Sequence, residues 1–143
     1  MAKKEFKVAG VTFSNGMFKK SRQDVIKGCK YGDLLKLEQD YSNKHDDYAV
    51  KVLTMEGEQV GYIPKGKAKS KRVYLSLEEK NDVTAKVTER FSFLDENNDR
   101  IYGLNIEVDS LLSANEAKEA ANKGCLGIIF ILIPILSLMK LMF

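Results

Sequence analysis

Residues 43–64, Asn43-Lys-His-Asp46-Asp-Tyr-Ala-Val-Lys-Val-Leu-Thr-Met-Glu-Gly-Glu-Gln-Val-Gly-Tyr62-Ile-Pro64, leave a chain few ways to fold. Asn43, Asp46 and Asp47 carry short side-chain acceptors that tie a turn back onto its own backbone. Ala49 to Leu53 is built from strand-type residues, Glu56-Gly57 marks a tight turn, and Gln59 to Ile63 returns. Pro64 has no N–H for a ladder, so the second strand must stop at about Ile63. The segment is a β-hairpin entered through a polar loop.

The flanking segments add strands to it. Glu5 to Phe13 alternates as a first strand, with Gly10 allowing a bend or a close approach. Ser21-Arg-Gln-Asp24 opens a short helix through a capping box, ending near Gly28 or Gly32. Asp33 to Gln39 is a second strand with Leu35 and Leu37 on one face. Residues 66–80 fit two periods: Ala68, Arg72 and Leu75 share a helical face, while Val73, Leu75 and Leu77 fit a strand, and a short helix is preferred. In Asp82 to Phe93, the residues Val83, Ala85, Val87 and Phe91 point one way. Asp95 to Asp99 turns the chain, and Ile101 to Val108 sets Tyr102, Leu104, Ile106 and Val108 inward. Six strands and one or two small helices within residues 1–112 predict a mainly β domain, a small OB-like six-stranded barrel.

Beyond Leu112 the composition changes. Ser113-Ala-Asn-Glu116 is a second capping box, opening a polar helical linker over 113–124. Cys125 to Met139 then runs fifteen residues without a charge, and 125–143 is read as a hydrophobic helix and membrane anchor. Pro134 would kink it, and Lys140 would reach the far interface. Lys118 and Lys123 precede the segment, which places the barrel on the cytoplasmic side. Met1-Ala-Lys-Lys-Glu leads into a strand, so no secretory signal is expected.

Charge narrows the function. The chain has 23 basic and 20 acidic residues, but residues 65–72 hold Lys65, Lys67, Lys69, Lys71 and Arg72 with no acid among them. A one-sided cluster of this kind suits an anionic partner, nucleic acid or a lipid surface. Cys29 and Cys125 have no zinc or disulfide spacing, and His45 is the single histidine. There is no Walker-type loop, no Ser/His/Asp set and no CxxC, and adjacent Asp46 and Asp47 point apart in extended chain. No enzyme activity, metal or cofactor is expected.

Four motifs in order resemble the HIRAN domain, including its stand-alone bacterial copies. They are Val8-Ala-Gly-Val-Thr-Phe13, Gly32-Asp-Leu-Leu-Lys-Leu37, Asn43-x-x-Asp46-x-x-Ala49-Val50-x-Val52 and Val60-Gly-Tyr-Ile-Pro64, followed by the basic helix. Lys44 departs from the family's proline and Tyr48 from its asparagine. The resemblance implies an OB-like barrel that holds the 3′ end of single-stranded DNA. It implies base stacking on Phe13 with Thr12 beside it, contact of His45 and Asp46 with the terminal nucleotide, and backbone contacts around Tyr62 and Lys65. Physics suits those roles: a ring platform contributes about 1–3 kcal/mol per base, a carboxylate accepts from a free hydroxyl yet repels a phosphate, and cations bind phosphates in a salt-dependent way. The function expected is a membrane-tethered module for single-stranded DNA ends. The alternative is a membrane-anchored adaptor for a protein partner or an anionic lipid surface.

Overall fold

The computed structural model describes residues 2–79 and 82–122. Six strands form one antiparallel sheet: β1 (Ala2–Lys7), β2 (Leu34–Gln39), β3 (Val50–Thr54), β4 (Gln59–Tyr62), β5 (Thr84–Leu94) and β6 (Arg100–Leu111). Their spatial order is β1-β6-β5-β2-β3-β4, so β1 and β4 are the two edges. The edges meet. Just past β1, Ala9 N–H donates to the Tyr62 carbonyl at 2.8 Å and Tyr62 N–H donates to the Ala9 carbonyl at 2.9 Å. The expected barrel is therefore a strongly curled sheet whose seam is closed by one two-bond bridge.

Inside the curl, Phe6, Val8, Leu35, Val50, Val52, Val60, Leu104, Ile106 and Val108 form the core. The hairpin and the inward face of β6 follow the alternation of the sequence, with Tyr102 partly buried at the core's margin. Helix α1 (Arg22–Lys27) packs Val25 and Ile26 into the core, and the Ser21 side chain accepts from Asp24 N–H at its N-terminus. Helix α2 (Ser70–Glu78) buries Ser70, Val73 and Ser76. That face is not the expected one, since Ala68 precedes the helix and is exposed. Leu75 instead meets Leu112, Ala117 and Ala120 in a separate cluster.

Two further expectations are corrected. The first strand ends at Lys7, and Phe13 lies in a turn closed by its N–H on the Gly10 carbonyl at 3.2 Å. In β5 the register slips between Val87 and Glu89, leaving Thr88 as an extra residue. The slip reverses which residues face inward, as a bulge must. Phe91 consequently stacks on Phe93 on the outer surface, with Lys7 Nζ 5.1 Å from its ring centre.

The segment read as a linker is helical over 114–122, here α3. Its capping box is reciprocal: Glu116 N–H donates to Ser113 Oγ and Ser113 N–H to Glu116 Oε1, both at 3.1 Å. Ala117 and Ala120 dock it against the barrel rather than leaving it free. The anchor expected at 125–143 lies outside the described residues. Among those described, no helix is long and apolar enough to cross a membrane.

Candidate nucleic-acid interface

Where the seam closes, a largely apolar cleft of about 590 Å³ opens between the 9–13 turn, the 43–49 loop and the end of β4. Five of the residues expected at the site line it: Phe13, His45, Asp46, Tyr62 and Lys65. They come from three segments far apart in the chain, brought together by the Ala9–Tyr62 bridge.

The loop is held from within. Asn43 Oδ1 accepts from His45 N–H at 2.8 Å and Asp46 N–H at 3.1 Å, an Asx turn that presents the His45 ring outward. Asp46 has both carboxylate oxygens engaged: Oδ1 accepts from Tyr48 N–H at 2.9 Å and Oδ2 from Ser70 Oγ–H at 2.7 Å. It thereby joins the loop to α2 while keeping spare lone pairs toward the cleft. Lys65 Nζ donates to the His45 carbonyl at 2.6 Å and closes the loop from the other side.

The cleft's aromatic walls differ. Phe13 is 68 % exposed and projects from its turn over Gly10. Gly10 has φ +69°, and a Cβ there would lie 3.2 Å from both the Phe13 ring and the Arg22 guanidinium, so the turn depends on glycine at this position. Tyr62 is fixed by its hydroxyl, which donates to Asp40 Oδ2 at 2.8 Å. Burial pushes the Asp40 carboxyl up, but the bonds from Tyr62 and Ser42, helped by the Lys51 charge, hold it below the usual aspartate value.

Thr12 is exposed in the turn beside Phe13 and does not line the cleft. The side chains of the basic run 65–72 go to different places. Lys65 lines the cleft, whereas Lys71 sits 5.0 Å over the Tyr48 ring. Arg72 Nε donates to the Leu112 carbonyl at 2.6 Å, tying α2 to the chain beyond β6. Lys67 and Lys69 are exposed at the start of the helix, outside the cleft. Successive residues of α2 turn by roughly 100°, so Lys71 and Arg72, the two cations of the run inside the helix, point apart.

Three residues of the site escaped the sequence reading. Asp40 orients Tyr62, and Ser70 anchors Asp46. The third, Arg22, lies beneath the cleft with only 6 % of its surface exposed, its guanidinium carbon 5.4 Å from the Tyr62 ring centre. Burial draws its pKa below the ordinary arginine value, with Tyr62 opposing.

Residues 3–102 match the HIRAN domain, more than half of the 143-residue chain. The chain belongs to the HIRAN domain family. The crystal structure of the HIRAN domain of human HLTF is similar, with a TM-score of 0.54 at 16 % identity, covering 85 % of this chain and 84 % of that one. A crystal structure of a protein from Lactobacillus plantarum has a TM-score of 0.49 at 16 % identity, covering 73 % of this chain and 90 % of that one. At this identity the first likeness bears on the fold, a curled antiparallel HIRAN sheet. No curated protein matches the chain.

Proposed function

We propose that this HIRAN chain is a non-enzymatic nucleic-acid-binding module that takes the 3′ end of single-stranded DNA in the cleft between Phe13 and Tyr62. Family membership supports nucleic-acid binding. The observation that carries the finer reading is the convergence of Phe13, His45, Asp46, Tyr62 and Lys65 on one cleft. Phe13 is a free ring for a base to stack on, worth about 1–3 kcal/mol without sequence preference. The Asp46 carboxylate, fixed by two bonds, accepts a terminal hydroxyl and repels a phosphate in its place. Lys65 gives a phosphate contact within the cleft, while Lys67, Lys69 and Lys71 supply weaker, screened attraction. The apolar residues 125–143 tether the module to a membrane, with the barrel on the cytoplasmic side.

The test is fluorescence anisotropy with the full chain in a mild non-ionic detergent, at two salt concentrations. The probes are a short single strand ending in a 3′-hydroxyl and the same strand ending in a 3′-phosphate. Wild type binds the hydroxyl end more tightly. Asp46→Asn, which keeps an acceptor for Tyr48 N–H, turns the Ser70 bond round and loses the charge, binds both ends alike. Equal wild-type binding to both ends refutes end recognition, and binding to neither at low salt refutes the nucleic-acid reading.

A further inference from the structure

Arg22 is a cation in the wrong place for a merely structural group. Its Nε donates to Asn15 Oδ1 at 2.7 Å and its Nη1 to the Gly10 carbonyl at 2.7 Å. Both acceptors are neutral, and the ion pairs among the described residues all lie elsewhere. The remaining nitrogen, Nη2, makes no hydrogen bond among the described residues, yet it is not sealed off in the way the Thr88 hydroxyl is. The Arg22 side chain is among those that line the cleft. A charge buried without a counter-ion is costly unless something compensates it. A neutral donor would hold Gly10 and Asn15 as well, so the charge itself needs a purpose.

Asp46 forms no ion pair with it; its carboxylate is held by Tyr48 N–H and Ser70 Oγ–H. Tyr62 offers only its ring face, its hydroxyl being turned to Asp40. The guanidinium is thus held by two bonds and a cation–π contact, with Nη2 making no hydrogen bond among the described residues and the side chain lining a largely apolar cleft. A rigid arginine fork with a free edge suits the oxygens of a phosphate, and the apolar walls strengthen the attraction.

We infer that Arg22 is a phosphate-binding subsite in the floor of the cleft, taking the phosphodiester that joins the last nucleotide of the bound strand to the one before it. This rests on the proposed reading of the cleft, and it adds a residue and a ligand group to that reading. Arg22 gives affinity for the strand's phosphate, and Asp46 selects the end. The shared chemistry is a phosphate beside a nucleoside, and a terminal 3′-phosphate is the other source of it.

The test compares three single strands on the full chain: unmodified, with the last linkage replaced by a neutral methylphosphonate, and with a 3′-phosphate. Wild type loses roughly tenfold to a hundredfold in affinity on the methylphosphonate strand, the range of a hydrogen bond to a charged group. Arg22→Met binds the unmodified strand weakly and is indifferent to the methylphosphonate. An advantage of the 3′-phosphate strand that vanishes in Arg22→Met refutes the hydroxyl preference of the proposed function yet supports the subsite, with the terminal phosphate as its occupant. No penalty from the methylphosphonate and no such advantage, or effects equal in wild type and variant, overturn it.

A second measurement needs neither an oligonucleotide nor the variant's stability. The Arg22 Nε–Hε resonance is followed by NMR in wild type as inorganic phosphate is added, against chloride at matched ionic strength. A phosphate-specific shift supports the subsite even if the strand does not bind, in which case only the proposed function falls. Where Arg22→Met does not fold or the strand does not bind, absence of that shift overturns the subsite.

Discussion

Gly61 sits beside the closing bridge, and replacing it with alanine tests whether one seam holds the curl shut. A Cβ built there would lie 2.3 Å from the Ala9 carbonyl oxygen and 2.6 Å from Val8 Cγ1. Ordinary contact requires a separation greater by roughly 1 Å. The nearer obstacle is backbone, so relief must come from moving the chain after β1 away from β4. The same shift stretches the two Ala9–Tyr62 bonds, now 2.8 and 2.9 Å, beyond useful length. Losing both costs about 2 kcal/mol, and residual crowding of Val8 adds about 1 kcal/mol, for a total of about 3 kcal/mol. Gly103 provides the contrast. A Cβ there would lie 2.2 Å from Phe91 Cζ, nominally as bad, but the obstacle is a half-buried side chain that can shift rather than backbone. Gly103→Ala should cost about 1 kcal/mol or less. Urea unfolding followed by tyrosine emission measures both, with the midpoint falling at unchanged slope. If Gly61→Ala costs no more than Gly103→Ala, the argument that the seam is rigid and load-carrying is wrong.

Ser70→Ala leaves Asp46 Oδ2 without its 2.7 Å donor in a half-buried setting and should destabilise by about 1–3 kcal/mol, read by thermal melting, with weaker end discrimination in the anisotropy assay. Tyr62→Phe removes the leading favourable bond to Asp40. Because the folded Asp40 pKa is depressed, its contribution is present above the unfolded value near 3.8 and is lost as pH falls through the folded one. The variant should therefore unfold at a higher pH than wild type in an acid titration followed by circular dichroism, and an unchanged acid midpoint would contradict this. Lys65→Ala should lower the salt dependence of strand binding by about one phosphate contact, seen as a shallower slope of log affinity against log salt. Arg72→Ala should leave that slope nearly unchanged and lower the melting temperature, since its guanidinium is committed to Leu112.

Much of the sheet was legible because alternation is a local signal. The hairpin 48–63, the inward face of β6 and the Ser113/Glu116 box each depend on residues a few positions apart. The bulge at Thr88 left no such trace, since one extra residue changes the parity of everything after it without changing composition. Helix α2 misled because its buried face is partly serine. Ser70 and Ser76 are accommodated through bonds to Asp46, to the Arg72 carbonyl and from Leu112 N–H, partners distant in sequence or invisible to a hydropathy pattern. Phe13, His45, Asp46, Tyr62 and Lys65 were expected from the resemblance to HIRAN motifs, and they share a cleft. Arg22 was not, because an arginine in a helix's first turn ordinarily faces water. Only the fold of the 10–15 segment beneath it supplies the carbonyl and amide that hold it inward.

The residue that closes the sheet is also a wall of the cleft. Tyr62 contributes its main chain to the seam and its ring to the cavity. A strand joined by two hydrogen bonds is where local opening begins, so the Ala9 and Tyr62 amides should exchange with solvent earlier than those of β5 and β6. Any guest resting on the Tyr62 ring favours the closed seam and must slow that exchange by linkage. These two amide protons therefore act as an internal gauge of occupancy, reporting binding from the side of the wall that the guest never touches.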